Sequence, residues 1–433
     1  VRISSFDIHP VAVADPPLRS SYGRHAPYAL RTIIVLGTTS GISGISEAHG
    51  GEGSIAALAA IREHVLGMDP FRLAGLWLNW GQGDSGGDRS QTWLVPGENP
   101  RDARTRAFAA VEAACLDIIG KAVNRPVCDL LGGRARDAAP FSAYLFYKHG
   151  GGGGEGADAR EDEYGECLDP ASIVRQARQM TATYGFREIK LKGGVLDPET
   201  EIETMRRLRA EFGPGYPLRI DPNCAWTVGT SVHAGLSLRE ELDGGGYLED
   251  PAAGLDGMAE VRRRLLAAGA DIPLASNAAV TAFEHLVPAW RQEAVQVVLS
   301  DPHYWGGLRA VQRLGGICEL LGLGVSMHSN NHLGVSMMIM AHACCATPGM
   351  RFACDTHYPW QHERDEVLAG GRVRFAEGAI PVPAKPGLGV ELDMDQVARL
   401  EERYHRLPYR KRDDEAEMRR HVDPDWRRVI PRW

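Results

Sequence analysis

After Phe141 the chain alternates short apolar runs with longer stretches in which apolar residues recur at helical spacing. The runs are "FSAYLFY", "FREIKLKGG", "PLRIDPN", "GGYLEDP", "IPLASN", "VQVVLSD", "GLGVSMHS" and "MRFACDTH". The last seven finish at Lys192, Asp221, Glu249, Asn277, Asp301, His328 and Asp355, in steps of about 24 to 29 residues, the length of one strand–helix unit. Eight such units predict an α/β fold of the (β/α)-barrel type, a modified TIM barrel. One helix is fully punctuated: Asp197 is placed as N-cap, Pro198 as first helical residue and Gly213 as stop.

The N-terminal part reads differently. "VRISSFDIHPVAV" and "LRTIIVLGTTSGISGISEAHGG" are strand-rich and separated by turn residues, as in an antiparallel meander, and residues 103–131 follow with helical spacing. The expected organisation is an N-terminal α+β capping domain over residues 1–135, a barrel over 136–380, and a segment over 381–433 that returns to the first domain. "HGGGGGEGADAREDEYGE", just after the first barrel strand, is rich in glycine and acids. That composition predicts a mobile surface loop.

Composition narrows the function without deciding it. The formal charge of −8 over 433 residues argues against a general nucleic-acid binder. Eight cysteines include no C-x-x-C pair and sit in apolar stretches, as buried free thiols of a reducing compartment do, so a cytoplasmic location is expected. The longest apolar run, "GVSMMIMAHACCA", falls short of the roughly 18 residues of a membrane span and reads as a buried helix. The expected partner is a small molecule rather than nucleic acid or membrane, and the expected assembly a homo-oligomer.

Chemistry enters through the run ends. Barrel sites lie where the strands end, so residues far apart in sequence should converge there. Lys190 and Lys192 stand two apart on one strand and share a face. They either splay into water or meet something negative. Asp221, Glu249 and Asn277 end three successive strands and offer oxygen ligands, which suit Mg²⁺ better than Zn²⁺. Each acid taken singly also fits an N-cap or a loop ion pair. Two carboxylates balance a divalent cation, so an anionic substrate is better tolerated than with three. Asp301 and His328 end the next two strands, where a carboxylate would fix the imidazole's tautomer and raise its basicity. His328 and His332 also have the i, i+4 spacing of a zinc pair, but "SNN" between them reads as loop and no cysteine or acid completes the set. A lysine on one side of a divalent ion and a His–Asp pair on the other suit proton abstraction next to a carboxylate. A second ammonium and the cation would lower the pKa of a lysine base by like-charge repulsion.

The ordered set "KLKGG", "IDPNCAW", "YLEDP", "LASN", "SDPHYWGG", "MHSNNH" and "CDTHYPW" resembles the glucarate dehydratase group of the enolase superfamily, the mandelate racemase and muconate lactonizing enzyme relatives. The likeness continues in "RHAPYALRTIIVL" and "HGGEG" near the start, and in "PAKPGLGVELDMDQV" and "KRDDEAEM" near the end. A lysine or histidine base working with Mg²⁺ is that superfamily's known chemistry. The resemblance implies Mg²⁺ at Asp221, Glu249 and Asn277, Lys192 as one base with Lys190 as its electrostatic partner, and His328 with Asp301 as the opposite acid/base. It places substrate contacts on His25, Tyr144, Asn223, Ser329, Asn330, His357 and Arg412, with His25 and the Arg412 fork at a second carboxylate. The implied reaction is loss of water from D-glucarate or L-idarate to a 2-keto-3-deoxy diacid. Another acid-sugar dehydratase, an epimerase or a non-catalytic paralogue are the alternatives. Cys224, where the family usually carries glycine, "SNAAV" after Asn277 and the poly-Gly stretch depart from the pattern and bear on substrate identity.

Overall fold

A computed structural model describes residues 1–80 and 100–433. The N-terminal sheet is a three-stranded antiparallel meander of β1 (Ile3–Ala14), β4 (Tyr28–Thr38) and β5 (Ser43–His49), with β4 in the middle. The helix Pro100–Ala122 lies directly on β5. At Gly44 a Cβ would stand 2.1 Å from the Ala114 carbonyl oxygen, so only glycine permits that approach. The helix Met394–Arg406 packs on the outer strand, where Arg403 Nη1 donates to the Ala12 carbonyl at 3.2 Å. Between β1 and β4 the chain makes a hairpin of β2 (Arg19–Ser20) and β3 (Gly23–Arg24). A short antiparallel pair, β6 (Ala138–Pro140) with β14 (Ala379–Pro381), joins the two ends of the barrel region.

The barrel strands are β7 (Ala143–Phe146), β8 (Ile189–Lys192), β9 (Leu218–Asp221), β10 (Tyr247–Glu249), β11 (Leu274–Ser276), β12 (Val297–Ser300) and β13 (Gly324–Met327), parallel and in sequence order. Residues 350–355 take the eighth place. Asp355 N–H donates to the Met327 carbonyl (2.8 Å) on one side, and Ser142 N–H donates to the Cys354 carbonyl (2.9 Å) on the other. The fold is thus the expected modified barrel with a capping domain. The expected punctuation also holds at the helix Pro198–Phe212, where Asp197 accepts from Thr200 N–H and Gly213 follows with φ +82°. The eight cysteines are all buried and free. Helix Gly334–Cys345 is buried along its length, and no helix of the described residues is long and apolar enough to cross a membrane.

Register explains the polar barrel interior. Tyr144, Lys190 and Arg219 stand in one row across β7–β9, and Phe146, Lys192 and Asp221 in the row above. Paired residues of parallel strands point the same way, so both lysines and Asp221 face inward. Arg219, fully buried, donates to the Ala353 carbonyl at 2.9 Å and covers the Tyr247 ring at 4.7 Å.

The glycine-rich segment departs from expectation. It is packed rather than loose: Gly154 N–H donates to the Pro27 carbonyl (2.9 Å), Lys148 Nζ binds Asp162 (2.8 Å), Arg160 pairs with Asp365 (2.6 Å) and Asp158 with Arg403 (2.8 Å). Gly153, at φ +85°, lies so close to Asp15 that a Cβ would stand 2.4 Å from its main chain. The glycines serve close approach here, a second use of the missing Cβ that composition does not distinguish from flexibility. Gly153→Ala is therefore expected to cost at least about 2 kcal/mol, against about 1 kcal/mol for Gly165→Ala, where φ is +67° but nothing lies within 4 Å of the new methyl. Urea denaturation of the two variants checks the difference, and equal losses would contradict the packed loop.

Candidate active site

The ends of β8 to β10, with Asp355 from the eighth barrel position, bring two amines and three carboxylates together. Lys192 Nζ donates to Asp221 Oδ2 at 2.7 Å, and Tyr144 OH donates to the same oxygen at 3.1 Å. Lys190 Nζ lies 2.6 Å from Asp355 Oδ2, 2.6 Å from Glu249 Oε2 and 3.6 Å from Asp221 Oδ2, with no solvent exposure. The two lysines therefore converge on something negative. Burial alone would lower Lys190, but Asp355 and Glu249 outweigh it and raise it well above the ordinary lysine value. It stays an ammonium. Burial would also push Asp221 up, yet Lys192 and Lys190 hold it down to about 2. Asn223 N–H and Nδ2 both donate to Asp221 Oδ1 at 3.0 Å. Asn223 and Cys224 have φ of +49° and +62°, so the position where the family usually has glycine is in the left-handed region that glycine favours.

Glu249 is the unanswered member. The Lys190 ammonium sits off its hydrogen-bonding directions, and neither carboxylate oxygen, both buried, has an aligned donor. Burial first, and then the nearby Asp221, push it well above the usual carboxylate range. Ligand oxygens of Asp221, Glu249 and Asp250 lie within 4.8 Å of one another. Asp250 spends its own oxygens on Ser276 Oγ (2.5 Å), Asn277 N–H (3.0 Å) and Ala278 N–H (3.1 Å). It ties the start of the next loop, including Asn277, to the end of β10. Hard oxygens of like charge around an orphaned carboxylate fit a divalent cation such as Mg²⁺, with Asp221 and Glu249 at its core.

Across the pocket Asp301 Oδ2 accepts from His328 Nδ1 at 3.0 Å, which leaves the ring's Nε2 to give or take a proton. Burial alone would push Asp301 up; His303 and His328 outweigh it and hold it well below the usual carboxylate range. Tyr304 packs edge-on against the His328 ring at 5.6 Å and accepts from Asn330 Nδ2 at 3.1 Å. His332 does not group with His328: its ligand atom lies within 4.8 Å of those of Asp301 and His303, and its ring stacks on His303 at 4.5 Å.

His357 connects the two sides. Its ring lies 5.0 Å from both Tyr144 and Phe146, and Ser329 Oγ is 3.0 Å from its Nδ1. Burial, then the charges of His25, His328 and Lys192, keep it well below the ordinary histidine value. One imidazole therefore faces residues from both sides of the pocket. Ser329 also accepts from His357 N–H, so its hydroxyl holds His357 in place.

The remaining expected contacts come from the capping side. Asp15 Oδ2 accepts from His25 Nδ1 and Arg412 Nη1, each at 3.0 Å, and its Oδ1 accepts from Asn331 Nδ2 at 3.0 Å. Arg412 Nε is 2.8 Å from Asp414. Two nitrogens of the Arg412 fork, Nη1 and Nε, thus already meet carboxylates of the chain itself, Asp15 and Asp414. Asp15, Asp250, His303, Tyr304 and Asn331 have no part in the sequence reading. Asp355 ends the eighth run, but nothing in its position tells a counter-ion from a ligand.

Residues 172–396 match the family described as enolase C-terminal domain-like, and residues 6–132 the mandelate racemase / muconate lactonizing enzyme N-terminal domain. A probable glucarate dehydratase of Streptomyces coelicolor is 42% identical over 100% of this chain and 99% of its own length. An enolase of Pseudomonas fluorescens, crystallised with magnesium, potassium and tartrate, is 41% identical with TM-score 0.92, covering 100% of this chain and 99% of the other. One from Thermobispora bispora, with magnesium and formate, is 45% identical with TM-score 0.90 and covers both chains fully.

Calorimetric titration with Mg²⁺ tests the cation site. Glu249→Gln is expected to weaken binding more than about 100-fold, and Asp250→Asn less than about tenfold, because only Glu249 lacks donors. The reverse order would move the ligand role to Asp250.

Proposed function

This chain belongs to the enolase superfamily, and from that premise we propose that it is a Mg²⁺-dependent dehydratase of an acid sugar, D-glucarate or L-idarate. The observation that carries the reading is the pairing of an amine–carboxylate cluster around Glu249, whose oxygens lack aligned donors, with a separate His328–Asp301 pair at a strand end whose next residue, Ser329, holds the His357 imidazole beside Tyr144. Asp221, Glu249 and Asn277 are the proposed ligands.

When bound, the cation supplies the counter-charge for the substrate carboxylate and for the charge that builds as its α-proton leaves. Lys192, the less enclosed of the two lysines, takes that proton. Lys190 keeps its charge, tied to Asp355 and Glu249, and so adds a fixed positive field at the same carbon's carboxylate. On the other side His328 Nε2 gives a proton to the β-hydroxyl, which departs as water. The C–H and C–O bonds break, a C=C forms, and the enol settles as the α-keto acid. For an epimer whose α-proton faces the other way, His328 takes the proton. Tyr144, Asn223, Asn330, His357 and His25 are placed to orient hydroxyls and carboxylates, with Ser329 acting through His357.

One observation favours a second reading. Arg412 is already neutralised by Asp15 and Asp414, so the far end of the pocket can serve a hydroxyl as readily as a carboxylate. A monocarboxylic acid sugar is then the substrate. Tartrate, bound in the Pseudomonas fluorescens relative, is a hydroxy diacid and supports the first reading.

Incubation of the Mg²⁺-loaded protein with a panel of diacid and monoacid sugars, with the α-keto product trapped by semicarbazide, separates the two. Turnover of D-glucarate or L-idarate is expected, with Lys192→Ala and His328→Ala each lowering kcat about 10²–10⁴-fold. Turnover of monoacids alone selects the second reading. Epimerisation without water loss, or no reaction and no α-proton exchange in D₂O across the panel, overturns both.

A further inference from the structure

Asp301 carries two imidazoles, and the proposed reaction uses only one. His303 Nδ1 lies 2.8 Å from Asp301 Oδ1, and the His303 main-chain N–H donates to the same oxygen at 2.8 Å. His328 Nδ1 holds the other oxygen, Oδ2, at 3.0 Å. An ionised carboxylate only accepts, so both Nδ1 atoms bear protons. On its far edge His303 Nε2 lies 2.9 Å from Ser336 Oγ. Ser336 Oγ accepts from Arg31 Nη2 at 3.5 Å, and among the contacts described for this hydroxyl His303 Nε2 is the acceptor for its own proton. That arrangement selects neutral His303 protonated at Nδ1.

Arg31 and Glu47, on β4 and β5 of the capping sheet, close the chain of contacts. Arg31 Nε binds Glu47 Oε1 at 2.6 Å, and Glu47 accepts from Leu333 N–H (3.0 Å) and Ser336 N–H (2.9 Å) at the start of helix Gly334–Cys345. Asp301, Arg31, Glu47 and Ser336 are all under 2% exposed, and His303 is 7% exposed. His332 stacks on the His303 ring from the remaining side.

We infer that His303 is a positioning residue: with its Nδ1–H on Asp301 and its Nε2 left as an acceptor for Ser336, it clamps Asp301 so that the carboxylate keeps its full charge and its Oδ2 for His328. A protonated His303 would cancel that charge, and without the ring Oδ1 keeps only the main-chain N–H at 2.8 Å, a looser hold on the carboxylate. The inference rests on the reading of His328 as one of two bases. It adds that the capping sheet controls the His328 side and leaves the Lys192 side alone.

The test compares α-proton exchange in D₂O for two acid sugars epimeric at the α-carbon, one presenting its proton to His328 and the other to Lys192. In His303→Leu, exchange on the His328 face is expected to fall at least about tenfold while the Lys192 face stays within about twofold. His303→Asn, whose amide can replace the Nδ1 donor, is expected to recover the His328 face to within about threefold of wild type. Equal losses on both faces, or no loss on either, overturn the inference. Histidine-selective ¹⁵N spectra give a readout independent of turnover. Wild-type His303 should show the neutral Nδ1–H tautomer, and Ser336→Ala, which removes the donor at Nε2, should raise the doubly protonated fraction; an Nε2–H tautomer in the wild-type protein overturns the assignment. Should the wild-type protein exchange neither epimer, the dehydratase reading fails, and the spectra still decide the role of His303.

Discussion

The structure is organised around a charge problem in a closed barrel. Lys190 is wholly enclosed, and so are Asp221, Glu249, Asp250 and Asp355. Burying an ion is costly unless its partners are close and well aligned. Most of these groups solve the problem internally: Lys190 with Asp355, Lys192 with Asp221, and Asp250 with a serine hydroxyl and two main-chain N–H groups. Glu249 does not. It shares the Lys190 ammonium with Asp355 and has no aligned donor on either oxygen, so the barrel keeps one carboxylate whose oxygens a cation can take. Parallel strands make this possible because their inward residues recur every second position, stacking Arg219 and Lys190 in one layer below Asp221 and Lys192.

The capping domain acts on this pocket from above through contacts of its own. The hairpin that joins β1 to β4 is pinned to the barrel where Arg19 N–H donates to the Tyr147 carbonyl (2.7 Å) and His149 N–H to the Pro17 carbonyl (3.1 Å). The glycine-rich segment wedges beneath the root of that hairpin, touching Asp15 and Pro27. The C-terminal region braces it from outside, with Glu417 on Arg24 at 3.2 Å and Arg428 over the Tyr22 ring at 4.3 Å. Asp15 stands where all three supports meet and holds His25, Arg412 and Asn331 at once. The far end of the pocket is consequently set by segments distant in sequence.

That difference in origin decides what the sequence could reveal. The barrel and the convergence of Lys190, Lys192, Asp221 and Glu249 were legible because strand periodicity alone dictates which residues share a face and an end. The His328–Asp301 pair was legible for the same reason, since adjacent strands end side by side. Partnerships were not. Asp221 and Asp355 look alike in sequence, each an acid at a strand end, yet one belongs to the cation cluster and the other neutralises Lys190. Arg412 read as a fork suited to a substrate carboxylate, and its tie to Asp15, near the other end of the chain, left no mark in the sequence. The i, i+4 spacing of His328 and His332 misleads in the same way: the segment between them is not helical, so the two rings turn to different neighbours.

The two proposed bases are held by different means, and the difference has a physical consequence. Lys192 shares Asp221 with Lys190 and Tyr144, so its surroundings change whenever the charge around Glu249 changes. His328 has a carboxylate of its own, Asp301, whose other contacts run to His303, Ser336 and the Arg31–Glu47 pair of the capping sheet. Electrostatic coupling falls with distance and with intervening polar groups, so these two networks respond to different events. The amine side answers to the cation and the substrate carboxylate it balances. The imidazole side answers to the seating of the capping domain. A dehydratase needs both in register before a proton leaves, since abstraction without a poised acid opposite would return the substrate unchanged. In the proposed reaction, one base built into the barrel's charge cluster and the other wired to the capping sheet would make proton abstraction depend on both networks at once.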